Sequence, residues 1–161
     1  MDQIEIFVPA SVANVSCGFD VLGFCLEPIG DIMRVTKTKT PGVTIGSVTG
    51  QKLPTDPLKN VASVAVLSLL KSFKSSYGFR IDIDKKIKPG SGIGSSAASA
   101  AGAVFAVNYL MGVPFSRKEL IQFAMAGEAL ASGAKHADNL APVLLGGFTL
   151  VRSNKSLDVI K

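Results

Sequence analysis

The sequence has few of the residues on which several protein classes depend. Its 161 residues include two cysteines, two tyrosines, one histidine and no tryptophan. Cys17 and Cys25 are too few for a disulfide framework, and no CxxC or Cys/His cluster predicts a zinc site, so we expect both to be small buried residues. A net charge of +5 suggests an anionic partner, but the lysines are scattered and stacking aromatics are scarce, which disfavours nucleic acid.

Long apolar runs and a targeting leader are also missing. No stretch reaches the roughly 18 apolar residues of a membrane span. The N-terminal residues MDQIEIFVPA lack a basic leader before an apolar block. We therefore expect a cytoplasmic protein without a membrane partner. Hydrophobic residues make up 47% and charged residues only 18%, which is typical of one folded domain at this length.

Alternation of apolar and polar residues predicts a β-rich front third. The predicted strands are a first strand that Pro9 ends, then 21–27, 31–38, 42–49, 78–84 and 143–151. From within the last of these, the residues FTLVRSNKSLDVIK have the pattern of that strand, a polar turn and a second strand. This second strand stops at Lys161 just where it should pair, so we expect the chain to be part of something longer.

Three helices are predicted between and after these strands. The first covers 61–75 behind an N-cap at Asn60, and its apolar residues recur at helical spacing. A small-residue helix begins with a cap at Ser95 or Ser96 and stops near Gly112. The third follows a capping box and continues to about residue 130, with a loop predicted over 131–142.

The stretch PGSGIGSSAAS, residues 89–99, predicts an anion site. Glycines let the backbone approach phosphate oxygens, and the start of the following helix offers unpaired N–H donors. No lysine follows the last glycine, which excludes a Walker loop, and the wet-faced strand before it disfavours a dinucleotide fingerprint. An ordinary glycine turn with a capped helix is the simpler alternative. Lys85, Lys86 and Lys88 precede the loop, either as a solvated strand end or as a guide for an anion.

Acidic residues extend this prediction. Glu128 continues an apolar helical row, where a carboxylate needs a cation or donors, and a magnesium ion bound to phosphates would meet that need. The alternative is a glutamate at the edge of the row that reaches water. His136, the only histidine, lies beside Asp138 and Asn139 in a short loop suited to a small polar molecule. Asp20, among glycines and apolar residues, either caps a turn or holds a ligand group.

Three separated motifs resemble those of the GHMP kinases, the family named for galactokinase, homoserine kinase, mevalonate kinase and phosphomevalonate kinase. PGSGIGSSAAS resembles the family's phosphate loop. VPASVANVSCGFDVLG and SGAKHADNLAPVLLGGFTLV resemble the N-terminal motif and the substrate loop of its homoserine kinase branch. The resemblance implies ATP-dependent phosphorylation of the side-chain hydroxyl of L-homoserine, a step toward threonine. It also implies the family's N-terminal α+β domain, a mostly antiparallel sheet packed with helices, as in some ribosomal proteins.

The resemblance further implies roles for individual residues. The ATP-binding positions are Asn60, near the adenine, and Pro89, Gly90, Ser91, Gly92, Ile93, Gly94, Ser95, Ser96, Ala97, Ala98 and Ser99. Mg²⁺ would be held by Glu128 and by a serine of the Ser95/Ser96 pair, for which we take Ser96. The substrate pocket would be lined by Asn14, Asp20, His136, Asp138 and Asn139, with the Asp20 carboxylate suited to an ammonium group. Glu128 and Asp138 are the expected catalytic residues; some family members use an aspartate as base, and we expect Asp138 to orient the substrate.

The family also has a C-terminal domain, and nothing after Gly147 resembles its glycine-rich motif. We expect residues 1–161 to be the N-terminal ATP-binding domain, ending at or just inside the start of that second domain. Alone they should be inactive, because phosphoryl transfer needs a complete cleft to position its substrates. Two alternatives stay open: another kinase of the family, acting on mevalonate, a sugar or shikimate, and a non-catalytic nucleotide- or RNA-binding module. The sequence also leaves a homodimer open.

Overall fold

The computed structural model describes residues 1–161 and confirms the predicted α+β fold. The chain forms six strands and four helices. In order they are β1 (Gln3–Val15), β2 (Gly18–Thr38), β3 (Gly42–Thr49), α1 (Val61–Ser72), β4 (Gly78–Asp84), α2 (Ser95–Leu110), α3 (Arg117–Ser132), α4 (Leu140–Leu145), β5 (Phe148–Ser153) and β6 (Asp158–Ile160).

All six strands belong to one sheet. Its order is β3-β4-β2-β5-β6, and β1 pairs with β2 in addition. Only β3 and β4 run parallel, which confirms the expectation of a mostly antiparallel sheet. The C-terminal half of β2 pairs with β4 and its N-terminal part pairs with β5, so this long strand joins the two halves of the sheet.

The first two strands are longer than the sequence pattern predicts. Pro9 does not end β1, which continues to Val15 after a register shift between Pro9 and Ala10. Proline is tolerated in a sheet where a bulge interrupts the ladder, so this residue marks an irregularity and not a strand end. The predicted strands 21–27 and 31–38 likewise form one strand, β2.

Helices α1 and α3 begin where the sequence predicts. Asn60 caps α1, and its Oδ1 accepts a hydrogen bond from the N–H of Ala62 at 2.9 Å, but the helix ends at Ser72 and not at residue 75. Both halves of the predicted capping box of α3 are present, between Ser116 and Glu119. No helix in the structure combines the length and the apolar character needed to cross a membrane.

The predictions for residues 131–151 are partly wrong. Helix α3 runs on to Ser132, and the short helix α4 occupies part of the predicted loop and of the predicted strand. Strand β5 begins only at Phe148. A short apolar run such as VLL fits a buried helix as well as a strand, so periodicity could not separate the two. Gly146 and Gly147 have φ of 78° and 69° and turn the chain between α4 and β5.

Helix α2 occupies the centre of the core. Its small residues let it contact α1, α3, α4, β1 and β2, and nearly all of them are buried. A Cβ at Gly102 would lie 2.5 Å from a methyl group of Val8, so the helix approaches β1 as closely as the backbone allows. Because α2 begins directly after the glycine loop, the packing of the core also fixes where that loop lies.

The expectation that both cysteines are buried is wrong. Cys17 is exposed and Cys25 is partly buried. The thiol of Cys25 donates a hydrogen bond to the carbonyl of Pro142 at 2.8 Å, and burial raises its pKa to about 11. Cys25 is therefore an unreactive residue that ties β2 to α4.

Candidate functional site

The largest cleft opens between the glycine loop, the starts of α1 and α2, and the C-terminal part of α3. Its volume is about 570 Å³, within the range of roughly 300–1,000 Å³ found for small-molecule sites. The residues that line it are Asn14, Leu53, Pro54, Lys59, Asn60, Val61, Lys85, Pro89, Gly90, Gly92, Gly94, Ser95, Ser96, Ser99, Glu128, Ala131, Ser132 and Asn139.

The glycines of the loop are needed for two different reasons. Gly90, Gly92 and Gly94 all have left-handed backbones, with φ of 76°, 79° and 66°. A Cβ at Gly90 or Gly92 would meet nothing within 4 Å, so these two residues border open space. A Cβ at Gly94 would lie 2.2 Å from the hydroxyl oxygen of Ser11, so at this residue glycine also permits a close approach.

Helix α2 begins at this loop without a side-chain cap. Its N-cap is Gly94, so the prediction that Ser95 or Ser96 caps the helix is wrong. The hydroxyl of Ser95 instead donates to the carbonyl of Ile87 at 3.1 Å. Because no side chain accepts from the first N–H groups of the helix, they stay available to an anion in the cleft.

A buried ion pair lies beneath the loop. Nζ of Lys85 donates to Oδ2 of Asp31 at 2.5 Å, to the carbonyl of Ser95 at 2.8 Å and to the hydroxyl of Ser99 at 3.1 Å. The other Asp31 oxygen accepts from the N–H groups of Lys86 and Ile87, both at 2.8 Å. We call these residues the Asp31–Lys85 network. It joins the strand before the loop to the helix after it.

This network corrects one of the predictions about the lysines. Only 1% of Lys85 is exposed, so it is neither a solvated strand end nor a guide for an anion, whereas Lys86 and Lys88 are exposed. Burial lowers the pKa of Lys85, and the charge of Asp31 opposes that shift. The amphipathic pattern of the strand could not reveal a buried lysine, because its partner Asp31 comes from a different strand.

Glu128 lies on the wall of the cleft that α3 forms. Its Oε2 is buried and has no hydrogen-bond partner. Burial is the largest cause that raises the pKa of this carboxyl, the charge of Asp138 adds to the rise, and Ser96 and His136 oppose it. The hydroxyl of Ser96 is close enough to favour the charged form but makes no hydrogen bond of normal geometry. Glu128 and Ser96 therefore lie close together, and each has a side-chain oxygen that is free to bind another group.

The other predicted polar residues lie beside this wall. Burial raises the pKa of Asp138, and the Asn139 N–H donates to its Oδ1 at 3.0 Å. Nδ1 of His136 lies 3.3 Å from a carboxylate oxygen of Asp20, and both side chains are about 40% exposed. The N–H of Asp20 donates to Oδ1 of Asn14 at 2.8 Å. The structure thus gathers residues from β1, β2 and the loop before α4 into one polar group.

Some predicted residues do not line the cleft. Ala97 and Ala98 are buried in the core. The others outside the lining are Ser91, Ile93, Asp20, His136 and Asp138. Both polar atoms of the Asn60 side chain have a partner, because Nδ2 donates to the carbonyl of Pro54 while Oδ1 caps α1. The part of Asn60 that the cleft reaches is therefore held rigidly in place.

Several lining residues were not predicted from the sequence. Leu53 and Pro54 lie in the loop before α1. Nothing in the neighbouring sequence predicts that this loop lies beside the glycine loop. Lys59 directly precedes the Asn60 cap. Its position next to a predicted site residue was the only sign in the sequence that it would line the cleft. Ser132 is the last residue of α3, which runs two residues past its predicted end, and this extra length places Ser132 in the cleft lining.

Comparisons with known proteins point to one family. Residues 60–147 match the family model described as the GHMP kinases N terminal domain. A curated homoserine kinase from Chloroherpeton thalassium is 46% identical over 172 aligned residues, which cover 99% of this chain and 54% of the relative. One from Methanococcus maripaludis is 44% identical, with coverage of 99% and 54%. The chain spans about half the length of the curated relatives it matches.

Solved structures agree with this result. A crystal structure of homoserine kinase from Cytophaga hutchinsonii superposes with a TM-score of 0.94 at 49% identity, covering 100% of this chain and 52% of that one. The mevalonate kinase of Methanococcus jannaschii has a TM-score of 0.72 at 15% identity, with coverage of 99% and 55%. At that identity the second comparison shows a shared fold alone.

Proposed function

The chain belongs to the GHMP kinase family, and we propose that its full-length gene product transfers the terminal phosphoryl group of ATP to the side-chain hydroxyl of L-homoserine. The observation that carries the proposal is the cleft itself. It combines an uncapped helix start with a carboxylate that has one buried oxygen without a partner. The substrate is proposed because relatives at 44–46% identity are named homoserine kinase.

The proposal places the triphosphate of ATP against the glycine loop and the start of α2. Phosphate oxygens accept hydrogen bonds from backbone N–H groups, and the positive end of the helix dipole favours their charge. Gly90 and Gly92 border open space, so nothing blocks an approach to their backbone. The adenine would lie nearer Asn60, at the end of the cleft formed by residues 53–54 and the start of α1.

Mg²⁺ fits the pair formed by Glu128 and Ser96. The ion takes one or two carboxylates together with substrate phosphates, and Glu128 offers a buried oxygen with no other partner. The Ser96 hydroxyl beside it would be the second protein ligand. When bound, the ion would neutralise negative charge on the phosphate groups. Glu128 and Ser96 therefore serve to hold it.

L-Homoserine would bind beside that wall, where the polar group of residues offers partners for each end of an amino acid. The Asp20 carboxylate is half exposed and suits an ammonium group, while Asn14, His136 and Asn139 offer hydrogen-bonding groups. Asp138 would orient the reacting hydroxyl. Phosphoryl transfer depends mainly on positioning and charge neutralisation, so this role needs no proton transfer to Asp138.

The proposal is tested by measuring ADP release from the full-length gene product with Mg-ATP and L-homoserine, against mevalonate, galactose and shikimate. We expect release only with homoserine, and its loss in Glu128→Ala. Glu5→Ala, which removes an exposed carboxylate on the sheet, is the matched control and should keep full activity. Release with another alcohol would contradict the substrate assignment. Nucleotide binding without any turnover would favour the non-catalytic module.

Three further expectations stay predictions: a cytoplasmic location, the absence of a nucleic-acid partner and the position of the domain boundary. Whether the protein forms a homodimer stays open. The site roles of the residues named above are proposals of the same standing. The inactivity expected of residues 1–161 alone would be checked by comparing their ADP release with that of the full-length gene product.

A further inference from the structure

Ser11 of β1 contacts two parts of the site although no role was predicted for it. It is fully buried, with 0% of the residue exposed. Its backbone N–H donates to the carbonyl of Ile93 in the glycine loop at 3.2 Å. Its hydroxyl donates to Oδ1 of Asn139, directly before α4, at 3.0 Å. One residue of β1 thus binds the nucleotide loop through its backbone and a proposed substrate residue through its side chain.

Gly94 shows how tightly this junction is packed. A Cβ at Gly94 would lie 2.2 Å from the Ser11 hydroxyl oxygen and 3.1 Å from Oδ1 of Asn139. Gly94 and Asn139 both line the cleft, whereas Ser11 is behind its wall. Ser11 can therefore act on a bound molecule only through the two residues in front of it.

The hydrogen bond from Ser11 also determines what Asn139 can offer. A planar carboxamide has an acceptor oxygen on one side and an NH₂ group with two donors on the other. Because Ser11 engages the oxygen, the orientation of the whole amide is fixed. The NH₂ group makes no hydrogen bond within the protein and stays available to an acceptor in the cleft, such as a hydroxyl, carboxylate or phosphoryl oxygen.

We propose that Ser11 is a positioning residue that holds the Asn139 amide with its donors toward the substrate and ties it to the glycine loop. This inference rests on the proposed function, in which Asn139 binds the substrate. The side-chain hydrogen bond and the backbone hydrogen bond of Ser11 have separate tasks. The first serves the substrate and the second serves the nucleotide loop.

Ser11→Ala in the full-length gene product separates these tasks, because it removes the hydroxyl and keeps the N–H that binds the Ile93 carbonyl. We expect kcat/KM for L-homoserine to fall roughly 3- to 10-fold, the effect of one hydrogen bond. The Kd for ATP without homoserine should stay within about twofold, since the backbone bond to the loop remains. A fall in ATP affinity as large as the fall in kcat/KM would overturn the proposal.

Asn108→Ala is the control for general destabilisation. Asn108 is buried and holds Phe115 through two hydrogen bonds at the far end of α2. It should lower the unfolding midpoint without changing kcat/KM for homoserine. An equal loss of kcat/KM in Asn108→Ala and Ser11→Ala would show that Ser11 acts through stability alone, and would overturn the proposal.

A double-mutant cycle with Asn139→Ala gives the sharper result. If Ser11 acts through Asn139, the double variant should lose no more kcat/KM than Asn139→Ala alone. Losses that multiply would show that Ser11 acts independently and would overturn the positioning role. A wild-type protein without homoserine-dependent turnover would overturn the proposed function itself, and that outcome is visible before any variant is made.

Discussion

The two walls of the cleft treat buried charge in opposite ways. In the Asp31–Lys85 network, every oxygen of Asp31 and the ammonium of Lys85 have partners supplied by the protein. On the wall formed by α3, Glu128 keeps a buried oxygen without a partner. Both walls contain charged side chains, so the type of residue alone does not explain why one wall has all its partners and the other does not.

The difference teaches which part of the site is complete before ligands bind. A buried ion pair with all its hydrogen bonds made holds its surroundings in one arrangement, whereas a buried carboxylate oxygen without a partner costs free energy until a cation or donor reaches it. The network wall therefore serves as a rigid base for the glycine loop. The Glu128 wall is the part of the cleft that a bound cation would complete.

The largest predicted effect comes from breaking the complete wall. Lys85→Met would leave the Asp31 carboxylate buried without its cation, and we expect a loss of about 3–5 kcal/mol in the free energy of unfolding. Urea unfolding of the full-length gene product, followed by circular dichroism, measures it. Asp31→Asn combined with Lys85→Met removes both charges and should recover part of the loss.

Lys86→Met is the matched control for that experiment. The Lys86 ammonium lies 3.6 Å from an Asp84 oxygen, and both side chains are largely exposed. Exposed pairs contribute roughly 0–1 kcal/mol, so this variant should unfold near the wild-type midpoint. If Lys85→Met lost no more stability than Lys86→Met, the network would not be the rigid base described above.

A smaller loss is expected where the loop meets Ser11. Gly94→Ala would place a side chain at φ 66°, which costs about 1–2 kcal/mol, and push against the Ser11 hydroxyl for about 1–2 kcal/mol more. Gly90→Ala has the same conformational cost but meets open space. In urea unfolding Gly94→Ala should therefore lose about twice as much stability as Gly90→Ala. Equal losses would contradict the close approach.

The smallest predicted effect is a gain in stability, and it comes from Glu128, the residue with the unpartnered buried oxygen. Burial raises the pKa of Glu128 in the folded protein, so stability is lost as the pH rises through that folded pKa. Glu128→Gln removes the charge, and at pH 7 it should stabilise the ligand-free protein by roughly 1 kcal/mol. The gain should be much smaller near pH 4, where the carboxyl is mostly protonated in the folded and unfolded states alike.

Glu119→Gln on the same helix is the control for the sign. The hydrogen bonds from Ser116 lower the pKa of Glu119, so its contribution is present above the unfolded pKa and is lost as the pH falls through the folded one. This variant should be neutral or destabilised at pH 7. Thermal unfolding at pH 4 and pH 7 measures both variants, and a destabilised Glu128→Gln at pH 7 would contradict the account of the incomplete wall.

Local signals in the sequence predicted much of this molecule. The capping box of α3, the Asn60 cap, the alternating strand β4 and the glycine loop each depend on residues close together in the chain, and the structure confirms them as elements. Pro9 and the residues of α4 were mispredicted. A bulge and a buried short helix are decided by partners distant in the sequence, and periodicity contains no information about them.

The sequence by itself determined the loop that leaves backbone donors free, the carboxylate placed in an apolar row and the motifs that identify the family. Only the tertiary structure decided that Lys85 is buried against Asp31, that Ser11 reaches Asn139, and that the Glu128 oxygen has no partner. The physical reason is that hydrogen bonding and burial depend on which distant segments meet. Bare glycines and helical spacing, by contrast, are properties of consecutive residues.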